Sequence, residues 1–141
     1  MRILFLEATG KEKPLLTSIN GVGEVAAMVI TAVIGDPNRF SSSKQIGAYF
    51  GLNPHPYQSG TSIHKHAFIQ KKGNGLVRYY LFNCVLVMIQ NKSHPIARFY
   101  YHLLENGKPK LVAITACMRK LATIMLTMLR TGEPFNFAAA T

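Results

Sequence analysis

A chain of 141 residues can bury one hydrophobic core, so a single domain that needs neither disulfide nor structural metal is expected. Its formal charge of +10, beside 48% hydrophobic residues, excludes a disordered basic tail and points to a packed domain with a basic surface that serves binding. Cys84 and Cys117 are far apart, each in an apolar helical pattern. That excludes a zinc knuckle or a disulfide-dense secreted scaffold and leaves two reduced core thiols in a cytoplasmic protein.

The first six residues are apolar except for Arg2, but Glu7 and Lys11-Glu12-Lys13 stop the run before it reaches signal-peptide length. Residues 1–14 are read as a lead-in, 15–137 as the domain and 138–141 as a tail, within a frayed small-residue end from Pro134. Pro14 to Gly35 reads as a short helix, a Gly-Val-Gly turn and a buried second helix from about Glu24 to Ile34, ended by Gly35-Asp36-Pro37. Ser42 at an N-cap, with Gln45 three residues on, predicts a capping box and a helix to Phe50, closed by Gly51. From Leu52 to Gly75 prolines, glycines and alternating polar residues show no helical period, which predicts a long functional loop. Leu76 to Gln90 is helical, Pro95 opens a helix through Leu104 that Asn106-Gly107 stops, and Lys110 to Arg130 makes the last and longest. Its apolar part, Leu111 to Leu129, is interrupted by Arg119-Lys120 and is not read as a membrane span, so no membrane partner is expected. The fold class is all-α: one helical domain with an N-terminal helix-hairpin-helix-like element and a long central loop.

Between Asp36 and Glu105 the chain runs 68 residues without a carboxylate while carrying eight Lys or Arg and all five histidines. Such a stretch repels itself unless a polyanion covers it, and nucleic acid is the first candidate. Ile19-Asn20-Gly21-Val22-Gly23 matches the helix-hairpin-helix pattern, in which Gly21 and Gly23 let backbone amides at a helix N-terminus face a phosphate. An ordinary glycine turn between two core helices fits the same residues. Lys65, Lys71, Lys72 and Arg78 surround Gly73-Asn74-Gly75 at a helix start, where cations and free amides would meet, and Asn74 joins them as a candidate contact; a solvated basic loop fits the same residues. His64-Lys65-His66 is not read as a metal site, because neighbouring lysines oppose a dication. Arg119-Lys120 on an apolar helix fits an exposed edge with snorkelling stems or a further phosphate contact. By composition alone Ser59-Gly60 is an ordinary loop pair, since a serine nucleophile needs a base or metal that nothing nearby supplies.

The ordered set Leu16-x-x-Ile19-x-Gly21-x-Gly23, Ile34-Gly35-Asp36, Arg39-Phe40, Ala48-Tyr49-x-Gly51-Leu52-x-Pro54, Gln58-Ser59-Gly60, Lys72-Gly73-Asn74, Phe99-Tyr100, Gly107-Lys108 and Arg119-Lys120 resembles the C-terminal domain of the insertion-sequence one-ten family of transposases. The resemblance covers about Leu15 to Phe137, with Asn20 where the family usually has proline. It implies that Ser59 is a nucleophile for DNA strand cleavage and rejoining, with Gly60 beside it, and that a ribonuclease-H-like domain in cis or trans carries acidic ligands for a divalent metal, Mg. This chain, with six scattered carboxylates, is expected to hold no metal or other cofactor and to be inactive alone. Implied partners are DNA, a structured guide RNA and further copies of the chain, in a bacterial, nucleoid-associated setting. Two rivals remain at this level: a non-catalytic helix-hairpin-helix module that holds nucleic acid by its phosphates, and a helical protein-interaction domain.

Overall fold

The computed structural model describes residues 5–8, 11–53 and 75–137. Five α-helices are found among them: α1 (Glu24–Ile34), α2 (Ser43–Phe50), α3 (Gly75–Met88), α4 (Pro95–Glu105) and α5 (Lys110–Thr131). Single 3-10 turns at Leu15–Ser18 and Pro37–Arg39 precede α1 and α2. The all-α class therefore holds for the domain, and most of the expected central loop, 54–74, lies outside the described residues, as does the tail 138–141.

The organising element is α5, whose eleven buried residues include Ala113, Cys117, Leu121, Met125 and Met128. It packs against α2, α3, α4 and both 3-10 turns, while α1 lies on α3 and the first 3-10 turn. By length and composition α5 could cross a membrane, even with Arg119-Lys120 inside it, so the expected disqualification by that pair does not hold. More than half of its most apolar window, 56%, is buried inside the domain, which is the signature of a core helix.

Helix ends follow the breakers. Gly51 and Gly132 close α2 and α5 in the left-handed conformation, at φ of 75° and 72°, which costs glycine nothing. The capping box expected at Ser42 and Gln45 is corrected. The Ser42 side chain makes no cap bond, and the Gln45 carboxamide reaches one residue further back, accepting from the Ser41 N–H at 2.8 Å. The N-cap of α4 is His94, whose imidazole accepts from the Ile96 N–H at 3.1 Å with Pro95 at the first helical position.

Two features were not anticipated. Within the lead-in, Phe5–Ala8 and Lys11–Pro14 pair as an antiparallel hairpin, with Phe5 opposite Pro14 and Ala8 opposite Lys11. Beyond α5 the chain does not fray at Pro134: Phe135 and Phe137 are half-buried and pack against the core, their rings 5.1 Å apart. Apolar area removed from water outweighs the loose composition of that end.

The Thr31 hydroxyl on α1 is buried without a hydrogen-bond partner, a cost that an isosteric apolar side chain removes. Thr31→Val is expected to be neutral or to stabilise by about 1 kcal/mol in urea unfolding. Burial pushes the Cys84 thiol up to about 11, and it pushes Cys117 up to about 12 against the pull of the Lys120 charge. Both thiols stay protonated at pH 8, so a thiolate-directed reagent is expected to label them only after unfolding. Unfolded thiols titrate near about 8.5. The stability these groups contribute is therefore full below that pH and falls as pH rises toward 11 and 12, which an unfolding series between pH 8 and 11 measures.

Candidate nucleic-acid interface

Gly21 and Gly23 fall into different roles. Gly21 sits at φ 103°, in a turn closed by the Val22 N–H donating to Ile19 O at 3.1 Å. A Cβ there would come within 2.8 Å of Met88 Cγ, so the glycine is required both by its backbone and by α3 behind it. Gly23 is the N-cap of α1 at an ordinary φ of −81°, with nothing within 4 Å of an added Cβ. The first amides of α1 follow it on an exposed surface, with the Glu24 carboxylate also in the first turn, where it competes for the positive end of the helix dipole.

This turn is tied to the start of α4 by His94. Because Nδ1 accepts from Ile96, the ring proton resides on Nε2, which donates to Asn20 O at 2.8 Å. The glycine turn thus hangs from the junction between α3 and α4, a link that sequence reasoning missed because it joins residues 74 apart.

Arg78 and Arg119 converge on the C-terminal end of α2. Arg78 Nη1 donates to Phe50 O at 3.0 Å, and Arg119 Nη1 donates to Leu52 O, also at 3.0 Å. Phe50 O belongs to the negative end of the α2 dipole, where a cation is favoured, and Leu52 O lies just past the Gly51 cap; both carbonyls need donors. Arg78 lies in the first turn of α3, so a single bond joins the two ends of the 54–74 segment. Asn53 completes the clamp: its Nδ2 donates to Lys44 O at 2.8 Å, and its carboxamide occupies the space a side chain on Gly47 would fill. A guanidinium carries five N–H donors, so each arginine keeps others for a further acceptor.

Lys120, the other predicted contact on α5, is exposed with its Nζ 4.5 Å from the centre of the Phe99 ring. Ser59, Gly60, Lys65, Lys71, Lys72 and Asn74 lie outside the described residues. Among the described residues no three His, Cys, Asp or Glu side chains come close enough to share a metal ion.

Over 122 residues, 86% of its length, the chain is 35% identical to a pilin gene-inverting protein of Moraxella lacunata. It is 32% identical over 121 residues to the 43.6 kDa protein of insertion element IS110 of Streptomyces coelicolor. It is 30% identical over 127 residues to the transposase for insertion sequence element IS1111A of Coxiella burnetii. The matched parts are 84% and 86% of this chain in the last two cases, and they make up 38%, 29% and 34% of the three relatives' own lengths. The chain thus spans about a third of the length of these relatives, and the class they define is a family of transposases. The family profile described as Transposase IS116/IS110/IS902 family matches residues 13–102, and the chain belongs to that family.

The two glycines give an internal contrast. Gly21→Ala is expected to cost about 1–3 kcal/mol through forced positive φ and the Met88 contact, whereas Gly23→Ser, which supplies a good N-cap, is expected within about 0.5 kcal/mol of the parent. Thermal unfolding of the two variants beside the parent measures both.

Proposed function

We propose that this domain is the DNA-handling, serine-bearing part of a transposase, acting with a metal-bearing, ribonuclease-H-like acidic domain in cis or trans. Three observations support it. The chain belongs to a transposase family, its 37–104 stretch is basic and free of carboxylates, and two arginines from separate helices hold the base of the segment in which Ser59 lies. The last of these carries the reading, because a nucleophile in a long segment needs both ends of that segment fixed against a rigid core.

In the chemistry this implies, Ser59 Oγ bonds to a backbone phosphorus as the bond to one deoxyribose oxygen breaks, and the serine proton ends on that leaving oxygen. The reverse attack by the hydroxyl of another strand rejoins the DNA and restores the serine. One phosphoester replaces another, so no external energy source is required. Lys65, Lys71, Lys72 and Asn74 are the side chains assigned to flanking phosphates, where cations offset the charge that builds on phosphorus. Members of such a system are read as working with a structured guide RNA and with further copies of the chain.

The test is a strand-transfer assay with labelled DNA, in which this chain is combined with the acidic domain of a family relative and Ser59→Ala is compared with the parent. A covalent protein–DNA adduct in the parent, lost in Ser59→Ala while DNA affinity stays within about twofold, is the expected result. Affinity should also fall steeply between 50 and 200 mM salt, by on the order of 10-fold or more if several phosphates are contacted. Unchanged strand transfer in Ser59→Ala overturns the catalytic role and leaves a non-catalytic module that holds DNA by its phosphates.

A further inference from the structure

One stripe of α5, from Ala116 through Arg119, Lys120, Thr123 and Ile124 to Thr127, lines two adjoining hollows. Toward α2 lies a polar pocket of about 310 Å³, whose charged and polar walls are Lys44, Arg119, Lys120, Ser43 and Asn53. Toward α4 lies a cleft of about 870 Å³, floored by Ile96 and Ile124, walled by the rings of Phe99, Phe135 and Phe137 and rimmed by Arg98, His102 and Lys120. Phe99, Lys120 and Thr123 belong to both. Among the described residues no carboxylate lines either; Glu105 lines a separate shallow hollow with Lys92 and Arg98.

A cationic pocket opening directly into an aromatic cleft has the polarity of a nucleotide, anionic at one end and flat and apolar at the other. The cleft is within the roughly 300–1,000 Å³ range of pockets that enclose small ligands. Arg119 is held in place by Leu52 O, so its remaining donors are fixed in the pocket before any ligand arrives. Lys120, over the Phe99 face, stands at the boundary between the two hollows, where a phosphate joins its nucleoside.

We infer that these paired hollows take one unstacked nucleotide of a single-stranded or distorted nucleic acid, with its phosphate against Lys44, Arg119 and Lys120 and its base among Phe99, Phe135 and Phe137. This rests on the reading of the domain as a nucleic-acid-handling part of a transposase and adds to it a contact region built on α4 and α5. Asn53, the last described residue before the 54–74 segment, lines the polar pocket, so the captured nucleotide lies next to the point where that segment leaves the core. Holding one base out of the stack fixes the register of the strand with respect to the core.

Binding is read from the anisotropy of a fluorescein attached to the end of a short oligonucleotide, whose emission lies outside that of any protein side chain, tryptophan included. The full chain is titrated with a single-stranded oligonucleotide, the same strand with one abasic position, and its duplex, using the parent, Thr127→Trp, Lys120→Gln and Lys108→Gln. Thr127 is exposed at the cleft, so tryptophan there fills the space without entering the core. The parent is expected to bind the intact strand about tenfold more tightly than the abasic one, the scale of one base stacked on an aromatic surface. Thr127→Trp should abolish that preference, Lys120→Gln should weaken both strands, and Lys108→Gln should match the parent. Equal binding of intact and abasic strands, or a preference that survives Thr127→Trp, overturns the nucleotide site while leaving the nucleic-acid reading intact. Failure of every oligonucleotide to bind at low salt overturns both. Binding of an acidic aromatic peptide that Thr127→Trp blocks, with no base preference among the oligonucleotides, assigns the cleft to a protein partner instead.

Discussion

Burial of α5 is the constraint on which the rest of the domain depends. Its apolar residues face α2, α3 and α4 at once, so the arrangement of those helices is set by how each covers part of one central rod. A helix so enclosed can place a charged residue only where it leaves the core, and Arg119 and Lys120 mark that line. Arg119 turns inward to a backbone carbonyl, whereas Lys120 lies across an aromatic ring toward solvent. The same face of α5 therefore anchors the end of α2 and presents charge.

The polar links that matter are few, and each ends on a backbone carbonyl. Arg78 and Arg119 hold the end of α2, Arg39 caps α1 through Ile34 O at 2.9 Å and Val33 O at 3.0 Å, and His94 holds the glycine turn through Asn20 O. Carbonyls at helix ends and turns would otherwise lack donors, and an arginine satisfies them while complementing the dipole. Basic residues in this chain thus divide into those used for architecture and those left facing solvent. A count of charge cannot make that division.

Much of the helical layout was legible because it is local. Gly35, Gly51, Pro95 and Asn106-Gly107 each mark a helix boundary within a residue or two of where it falls, since breakers act through their own φ and missing N–H. The 3-10 turn at Leu15–Ser18 stands where a short helix was expected. The hairpin at 5–14 was not legible because its strands are four residues each and carry mixed charge instead of clean alternation. The structural duties of Arg78, Arg119 and His94 were invisible for another reason: their partners lie 28, 67 and 74 residues away. Ser59 was legible only through the ordered set of family motifs, since a serine in a polar loop carries no chemical signal of its own.

The bond from Arg78 to Phe50 O has a further consequence in the thermodynamics of the chain. Closing a segment of 21 residues, 54–74, costs entropy that grows only as the logarithm of its length, and here the folded core brings the two ends together. Doubling the length of the insert would add only about 0.6 kcal/mol to that cost. The helical core therefore places little demand on what is written between its two anchor points, and the insert can be selected for what it contacts without regard to folding. Such a division lets the segment vary in length and sequence while the scaffold that holds it stays the same.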